Sequence, residues 1–373
     1  MTSGGGPTLR IASAGKDASS GVAGDTVLLG LPILRRAVLA AERAGFDRIV
    51  VEEAAGLDLP LLLAGTRAET AARSGASPDP GPGRPVLLPE NVLPQVRWLR
   101  ELRRRAPATG PDTRAPGEPR SADRFVIASA ADLPRAEEWL LASLVKDTEG
   151  FMSRHVERRI SLAISRRLAG TRVTPNTMTL VSVGVGLAGA ALFLSSRPGA
   201  PLLGALLVLL HSILDGCDGE LARLKFQESR FGGILDFWGD NVVHSALFGT
   251  IAAAWSRASG QTWPLLLGAA AILGTILSAA FVYRHTMAQV AEGPLFTSVS
   301  RSPDSRFSRL ADALARRDFL YLLVVLAALG KAHWFLVMAA VGSPIYFLLL
   351  LAIARAGRRG EARSSEDATG VPV

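Results

Sequence analysis

Four aspartates define the chemistry open to this chain. It reads Asp215-Gly-Cys-Asp218-Gly219-Glu-Leu-Ala222-Arg223, then eight residues, then Gly232-Gly-Ile-Leu-Asp236-Phe-Trp-Gly-Asp240. On a helix, Asp215, Asp218 and Ala222 follow an i, i+3, i+7 stripe, with Gly219 and Arg223 beside it. On a second helix, Gly232, Asp236 and Asp240 follow i, i+4, i+8. Apolar runs flank both segments, and an ionised Asp at the edge of hydrocarbon costs about 2.5 to 3.5 kcal/mol. Four in one place need a compensating partner, and a divalent cation is the obvious one. Two such helices face to face would gather the four carboxylates beside an arginine, with small residues leaving room for a bulky group. That arrangement suits metal-assisted phosphoryl transfer.

The elements that must position these residues read as membrane spans. Apolar residues make up 49% of the 373, and uncharged windows cover 173–196, 198–214, 241–256, 258–283, 319–330 and 332–354. A span needs about 20 mostly apolar residues. The second window can run into Asp215–Arg223, the third can begin at Gly232, and the fifth borrows residues from both sides. The count is six spans. Basic residues set the orientation. Arg223, Lys225 and Arg230 follow the second span, and Arg284, Arg301, Arg306, Arg309, Arg316 and Arg317 follow the fourth. Arg355, Arg358, Arg359 and Arg363 follow the sixth, whereas the opposite connections carry Arg197, Arg257 and Lys331. Both termini are therefore expected in the cytoplasm, with Trp255, Trp263 and Trp334 as interface aromatics on the far side.

Residues 1–148 read as a small α/β domain with a mostly parallel sheet. Strands are expected at 9–13, 48–52, 85–88 and 124–129. Helices are expected at 32–44 with Gly45 as its cap, at 92–105 with Asn91 as its cap, and at 134–146. Residues 66–85 and 106–123 read as surface loops. Residues 149–172 read as a juxtamembrane amphipathic helix and linker, where Ile160, Leu162, Ile164 and Leu168 stand among Arg154, Arg158, Arg159, Arg166 and Arg167. Residues 173–359 form the membrane domain, and 360–373 a flexible tail. The net charge of +8 clusters beside the spans, and no zinc-ligand spacing or stacking motif points to nucleic acid. The single Cys217 excludes an intramolecular disulfide. Residues 1–10 lack the apolar core of a secretory signal.

The pattern D-x-x-D-G-x-x-A-R, an eight-residue gap, then G-x-x-x-D-x-x-x-D resembles the signature of the CDP-alcohol phosphotransferases, also called CDP-alcohol phosphatidyltransferases. All eight fixed positions are present. Thr174-Pro175-Asn176-Thr-Met-Thr179 is similar to the family's T-P-N-x-x-T helix start. The junction Ala136-Glu-Glu-Trp through Arg154, then Arg158-Arg-Ile-Ser161, resembles members with an N-terminal cytidylyltransferase-like domain fused to an inositol-phosphotransferase membrane domain. The run Gly30-Leu-Pro32-Ile-Leu-Arg35 resembles the start of sugar-phosphate nucleotidyltransferases. The Gly-rich loop at 14–27 keeps Lys16 without a recognisable arginine or second lysine, so a degenerate nucleotidyltransferase-like domain is expected.

The resemblance implies a six-helix α-helical integral membrane bundle preceded by a small cytoplasmic α/β domain. It implies transfer of a substituted phosphate from a CDP-alcohol, CDP-diacylglycerol or CDP-inositol, to an acceptor hydroxyl with release of CMP. The acceptor would be a polyol or polyol phosphate, and the setting phospholipid or inositol-phosphodiester biosynthesis. Asp215, Asp218, Asp236 and Asp240 would hold Mg²⁺ or Mn²⁺, as a pair of ions, with Asp240 also the general base. Asn176, Thr179, Gly219, Ala222, Arg223 and Ser229 would hold the CDP-alcohol. Membrane lipids are implied partners, nucleic acid is not, and homodimers are common in that family. Arg154, Arg158, Arg159 and Arg284 are candidates for an acceptor phosphate. His211 and His244, one turn outside Asp215 and Asp240, read as helix-packing residues. An ion transporter and a catalytically inactive membrane scaffold are the competing readings.

Overall fold

The architecture comes from a computed structural model, which describes residues 7–13, 21–72, 86–89, 91–105, 123–145, 156–287 and 319–369. Two compact units emerge: one of residues 1–145 with 166–171 and 224–226, the other of the remainder.

The first unit runs β1 (Thr8–Ile11), β2 (Val27–Leu28), β3 (Leu31–Pro32), α1 (Ile33–Ala44), β4 (Arg48–Glu52), α2 (Leu59–Leu62), β5 (Glu69–Ala71), β6 (Val86–Leu88), β7 (Val92–Pro94), α3 (Val96–Arg105), β8 (Arg124–Val126) and α4 (Leu133–Ala142). Among the described residues, β5-β4-β1-β6 form a parallel sheet. Side chains alternate across it, so Leu9 and Ile11 of β1 and Ile49 and Val51 of β4 are buried together. The apolar stripe of α1, with Leu34, Ala37, Val38 and Ala41, joins the same core. Gly45 ends α1 at φ 84°, donating its N–H to Ala41 and Glu42 carbonyls, a left-handed turn that glycine adopts without strain. Arg36, on the same helix, is buried and donates to the Leu28 and Leu29 carbonyls at 2.8 and 3.3 Å. Burial pushes its guanidinium down to about 10, which leaves it charged at neutral pH.

Two local expectations change. Residues 92–105 do not form one helix capped by Asn91. Val92–Pro94 pairs antiparallel with Arg124–Val126, and α3 starts at Val96. Proline disfavours helix for the residue before it, here Leu93, and supplies no N–H. Within the expected loop at 66–85, Glu69–Ala71 is an edge strand on β4, its Glu69 paired with Arg48 at 2.8 Å. The Gly-rich segment 14–20, with Lys16, and the loop segment 106–122 lie outside the described residues.

The second unit is helical. It comprises α5 (Arg158–Ala169) as far as Ser165, α6 (Pro175–Leu192), α7 (Ala200–Lys225) as far as Arg223, α8 (Arg230–Ser259), α9 (Trp263–Val282) with a π-helical turn at Tyr283–Met287, a short helix Phe319–Ala328 and a last helix Ala332–Thr369. Among the described residues, four helices are long and apolar enough to cross a membrane: Pro175–Leu192, Ala200–Lys225, Trp263–Met287 and Ala332–Arg355. The protein is a multi-pass membrane protein. Of the other two expected spans, α8 has 30 residues, about 45 Å of helix, but carries Asp236 and Asp240 in its first half. Phe319–Ala328 is apolar and short. The last helix continues to Thr369, into the stretch read from sequence as tail; alanine and glutamate recur there, and both favour helix.

Helix contact relies on small residues, since lipid gives apolar side chains no reason to leave it. A Cβ on Gly204 would sit 2.6 Å from the Gly189 carbonyl, so α6 and α7 meet backbone to backbone. A dry cluster of Ala190, Ala205, Val208, Leu247, Ile251 and Leu323 fills the bundle. It lies on the first half of α7 and the second half of α8, which leaves the acid-bearing ends of both helices free for polar work.

Candidate active site

The site is built where the end of α7 faces the start of α8. Asp215, Asp236 and Asp240 each present a carboxylate oxygen, and the three lie within 4.8 Å of one another. The helical spacing is what permits this. Residues four apart on α8 stack on one face, and that face meets the stripe of Asp215. Asp215 is 5% exposed, and Oδ1 of Asp236 is buried with no hydrogen-bond partner among the described residues. A buried carboxylate oxygen left without a donor is costly, and a cation is the group that satisfies such an atom. Three carboxylates, with no nitrogen or sulfur ligand in the group among the described residues, make a hard oxygen set, suited to a divalent ion of the magnesium type.

Asp218, 6% exposed, stands outside this trio. Its Oδ2 accepts a hydrogen bond from the Thr179 hydroxyl, while Asp215 and Asp240 lie within charge–charge range of it. Thr179 is itself buried and also approaches the Pro175 carbonyl at 3.2 Å. It is placed by the first turn of α6, where Thr174 caps the helix by accepting from the Thr177 N–H at 3.2 Å and Pro175 occupies the opening position. Asn176 from the same turn lies against α8. A Cβ on Gly232 would stand 2.8 Å from Asn176 Oδ1, so a larger residue there would push the Asn176 side chain aside. The T-P-N-x-x-T segment is thus both a capped helix start and a wall of the site.

Ser229 caps α8, its Oγ accepting from the Gly232 N–H at 3.0 Å. Arg223 folds back over its own helix, its Nη1 3.3 Å from where a Cβ on Gly219 would lie. Ala222, half-buried, follows on the same stripe. Of the arginines considered for an acceptor phosphate, Arg159 and Arg284 are exposed, Arg154 lies outside the described residues, and Arg158 is engaged by Glu220 at 2.7 Å.

Sequence reasoning left out one residue that the structure brings in. His211, 2% exposed, places Nε2 3.3 Å from Asp240 Oδ1 and Nδ1 3.0 Å from the Ser182 carbonyl. A carbonyl only accepts, so Nδ1 carries a hydrogen. The imidazole is therefore fixed between α6 and the last carboxylate of the motif. Its spacing of one turn before Asp215 was the available signal. The stacking of His244 on Phe248, with Phe319 alongside, fits its reading as a packing residue.

Residues 172–301, which contain every one of these site residues, match the CDP-alcohol phosphatidyltransferase family. The family match thus takes in the whole of the aspartate motif. The chain is 41% identical over 124 residues to the bifunctional IPC transferase and DIPP synthase of Thermococcus kodakarensis, covering 33% of this chain and 28% of that protein. It is 31% identical over 120 residues to the phosphatidylinositol phosphate synthase of Corynebacterium glutamicum, covering 32% of this chain and 53% of that one. The matches span about a quarter to a third of the length of the bifunctional relatives. The crystal structure of Mycobacterium tuberculosis phosphatidylinositol phosphate synthase with CDP-DAG bound is 22% identical. It covers 52% of this chain and 93% of that one at a TM-score of 0.37, a likeness that carries no argument about the fold.

Proposed function

We propose that this protein transfers a substituted phosphate group from a CDP-alcohol to an acceptor hydroxyl and releases CMP. The observation that carries the reading is the approach of Asp215, Asp236 and Asp240 to within 4.8 Å inside the segment that matches the CDP-alcohol phosphatidyltransferase family. In the reaction, the acceptor oxygen forms a bond to the phosphorus bearing the alcohol, and the bond from that phosphorus to the CMP oxygen breaks. The acceptor's proton passes to the Asp240 carboxylate, and CMP leaves with the bonding electrons. Attacking and leaving groups are both electron-rich, so the protein's task is mostly positioning and charge neutralisation.

Each side chain has a part in that task. Asp215, Asp218, Asp236 and Asp240 would hold a pair of Mg²⁺ or Mn²⁺ ions. When bound, these supply positive charge against the diphosphate bridge. Arg223 pairs with a phosphate, Gly219 and Ala222 leave room for the nucleotide along α7, and Asn176, Thr179 and Ser229 close the opposite side. The six-span bundle has its acid-bearing end and both termini at the cytoplasmic surface, where a soluble nucleotide product can leave. The first unit is a degenerate nucleotidyltransferase-like domain. The names of the relatives favour an inositol phosphate acceptor.

The test is CMP release by the full chain in detergent with Mg²⁺. CDP-diacylglycerol and CDP-inositol serve as donors, paired with inositol phosphate and glycerol phosphate as acceptors, and products are read by mass spectrometry. Asp240→Ala should lower turnover by at least about 100-fold, the usual worth of a general base, while the chain still elutes as a folded species. Wild-type protein with no turnover over the whole panel would leave the transferase reading without support.

A further inference from the structure

Outside the acid cluster, two more carboxylates are buried among the described residues of the second unit, Glu157 and Glu220, and Glu220 sits inside the motif. Glu220 follows Gly219 directly and is 0% exposed. At about 100° per residue it points about 140° away from Asp215 and about 160° away from Asp218 around α7. It therefore looks out of the back of the helix whose front carries the site. There it meets α5. Arg158 Nη1 donates to Glu220 Oε1 at 2.7 Å, the Ser161 hydroxyl donates to the same oxygen at 2.6 Å, and the Ser165 hydroxyl donates to Oε2 at 2.6 Å. The three donors follow i, i+3, i+7, one stripe of α5, and Ser161 and Ser165 are fully buried. The face of α7 is shaped to receive them. A Cβ on Gly216, one turn before Glu220, would stand 3.2 Å from Arg158 Nη1, and the Cys217 thiol donates to the Ser161 carbonyl at 3.6 Å.

A buried carboxylate is tolerable only when paired and hydrogen-bonded, and here both oxygens have partners. Apolar side chains would hold two helices together without fixing their rotation. Three directional bonds to one side chain fix it. We propose that Glu220 is a positioning residue: clamped by Arg158, Ser161 and Ser165, it locks α5 onto the back of α7 and sets the rotation at which Asp215 and Asp218 face the site. The clamp reaches beyond the family segment, which begins at residue 172, whereas α5 ends at Ala169. The working unit therefore includes a helix upstream of the matched domain. The catalytic meaning of this clamp rests on the transferase reading; the positioning of the acids does not.

The experiment uses the full chain in detergent, with Mn²⁺ affinity read by electron paramagnetic resonance, CMP release as a second readout and thermal melting as a third. Glu220→Gln and the double variant Ser161→Ala/Ser165→Ala should each weaken Mn²⁺ binding and slow turnover by about tenfold, the lower end of what loss of a ligand-orienting partner costs. Arg158→Lys, which keeps a cation facing Glu220, should recover most of what Arg158→Ala loses. A clamp that is merely structural would lower the melting temperature and leave Mn²⁺ affinity per folded molecule unchanged. That result, or no difference between Arg158→Lys and Arg158→Ala, overturns the proposal. If Glu220→Gln does not fold, the serine double variant decides, because it keeps the ion pair. Wild type that binds Mn²⁺ but releases no CMP would sink the transferase reading and leave the clamp standing. Wild type that binds no Mn²⁺ would overturn both.

Discussion

Asp240 is held from two sides, by the acid group it belongs to and by a buried imidazole 3.3 Å away. That imidazole has little freedom, because its other nitrogen is tied to the Ser182 carbonyl at 3.0 Å. His211→Ala removes the tie without touching the carboxylates. The expected outcome is a fall in kcat of about tenfold or more with KM for the CDP-alcohol within about twofold, since nothing that holds the nucleotide is lost. Steady-state CMP release over a donor titration checks it. An equal loss in KM alone would give His211 a role in binding rather than in aiming Asp240. The eight motif positions were legible in the sequence because their chemistry depends on spacing along one or two helices. His211 and Asp240 are 29 positions apart on different helices, and no spacing rule joins them.

At the scale of elements, the acids face one another because α6, α7 and α8 come unusually close. The two helices α6 and α7 meet backbone to backbone at Gly189 and Gly204, where neither has a side chain to hold the other off. Gly204→Val puts a branched side chain where the Gly189 carbonyl lies 2.6 Å from a bare Cβ. Separating the helices should cost about 1 to 3 kcal/mol, the usual price of overpacking, seen as a lower melting temperature in detergent. Turnover per folded molecule should fall as well, because α7 carries Asp215. A variant that melts earlier but turns over normally would show that the crossing sets stability and not the site. The hydropathy of the sequence marked these helices as spans. It did not mark which glycines were contacts, since a glycine in an apolar run reads the same whether it meets lipid or a neighbour.

For the whole molecule, the acidic cluster is a liability until a cation is bound. Like charges within 4.8 Å repel, and the burial of Asp215 leaves little water to screen them. Stability should therefore depend on divalent ion concentration. At about 100 times the dissociation constant the linkage is about 2.7 kcal/mol. Melting curves in EDTA and in saturating Mg²⁺ should differ accordingly, and the gap should shrink in Asp236→Asn. Equal melting temperatures for the wild type in the two conditions would argue that the carboxylates hold no ion.

The sequence alone pointed to the proposed reaction class and marked a membrane protein, through local patterns: carboxylates at the spacing of a family signature and long uncharged runs. It also determined most of the first unit, where alternation in residues 8–11 and 48–52 dictates buried parallel strands. It misjudged residues 92–105, where Pro94 breaks an otherwise helical pattern, and residues 69–71, a short edge strand without an apolar run. Only the tertiary structure decided that Asp218 turns to Thr179, that His211 backs Asp240, and that Arg158 serves Glu220 rather than an incoming phosphate. Each of those pairs joins two different helices. A helix fixes which of its own residues share a face; which foreign face it meets is settled by packing over the whole bundle.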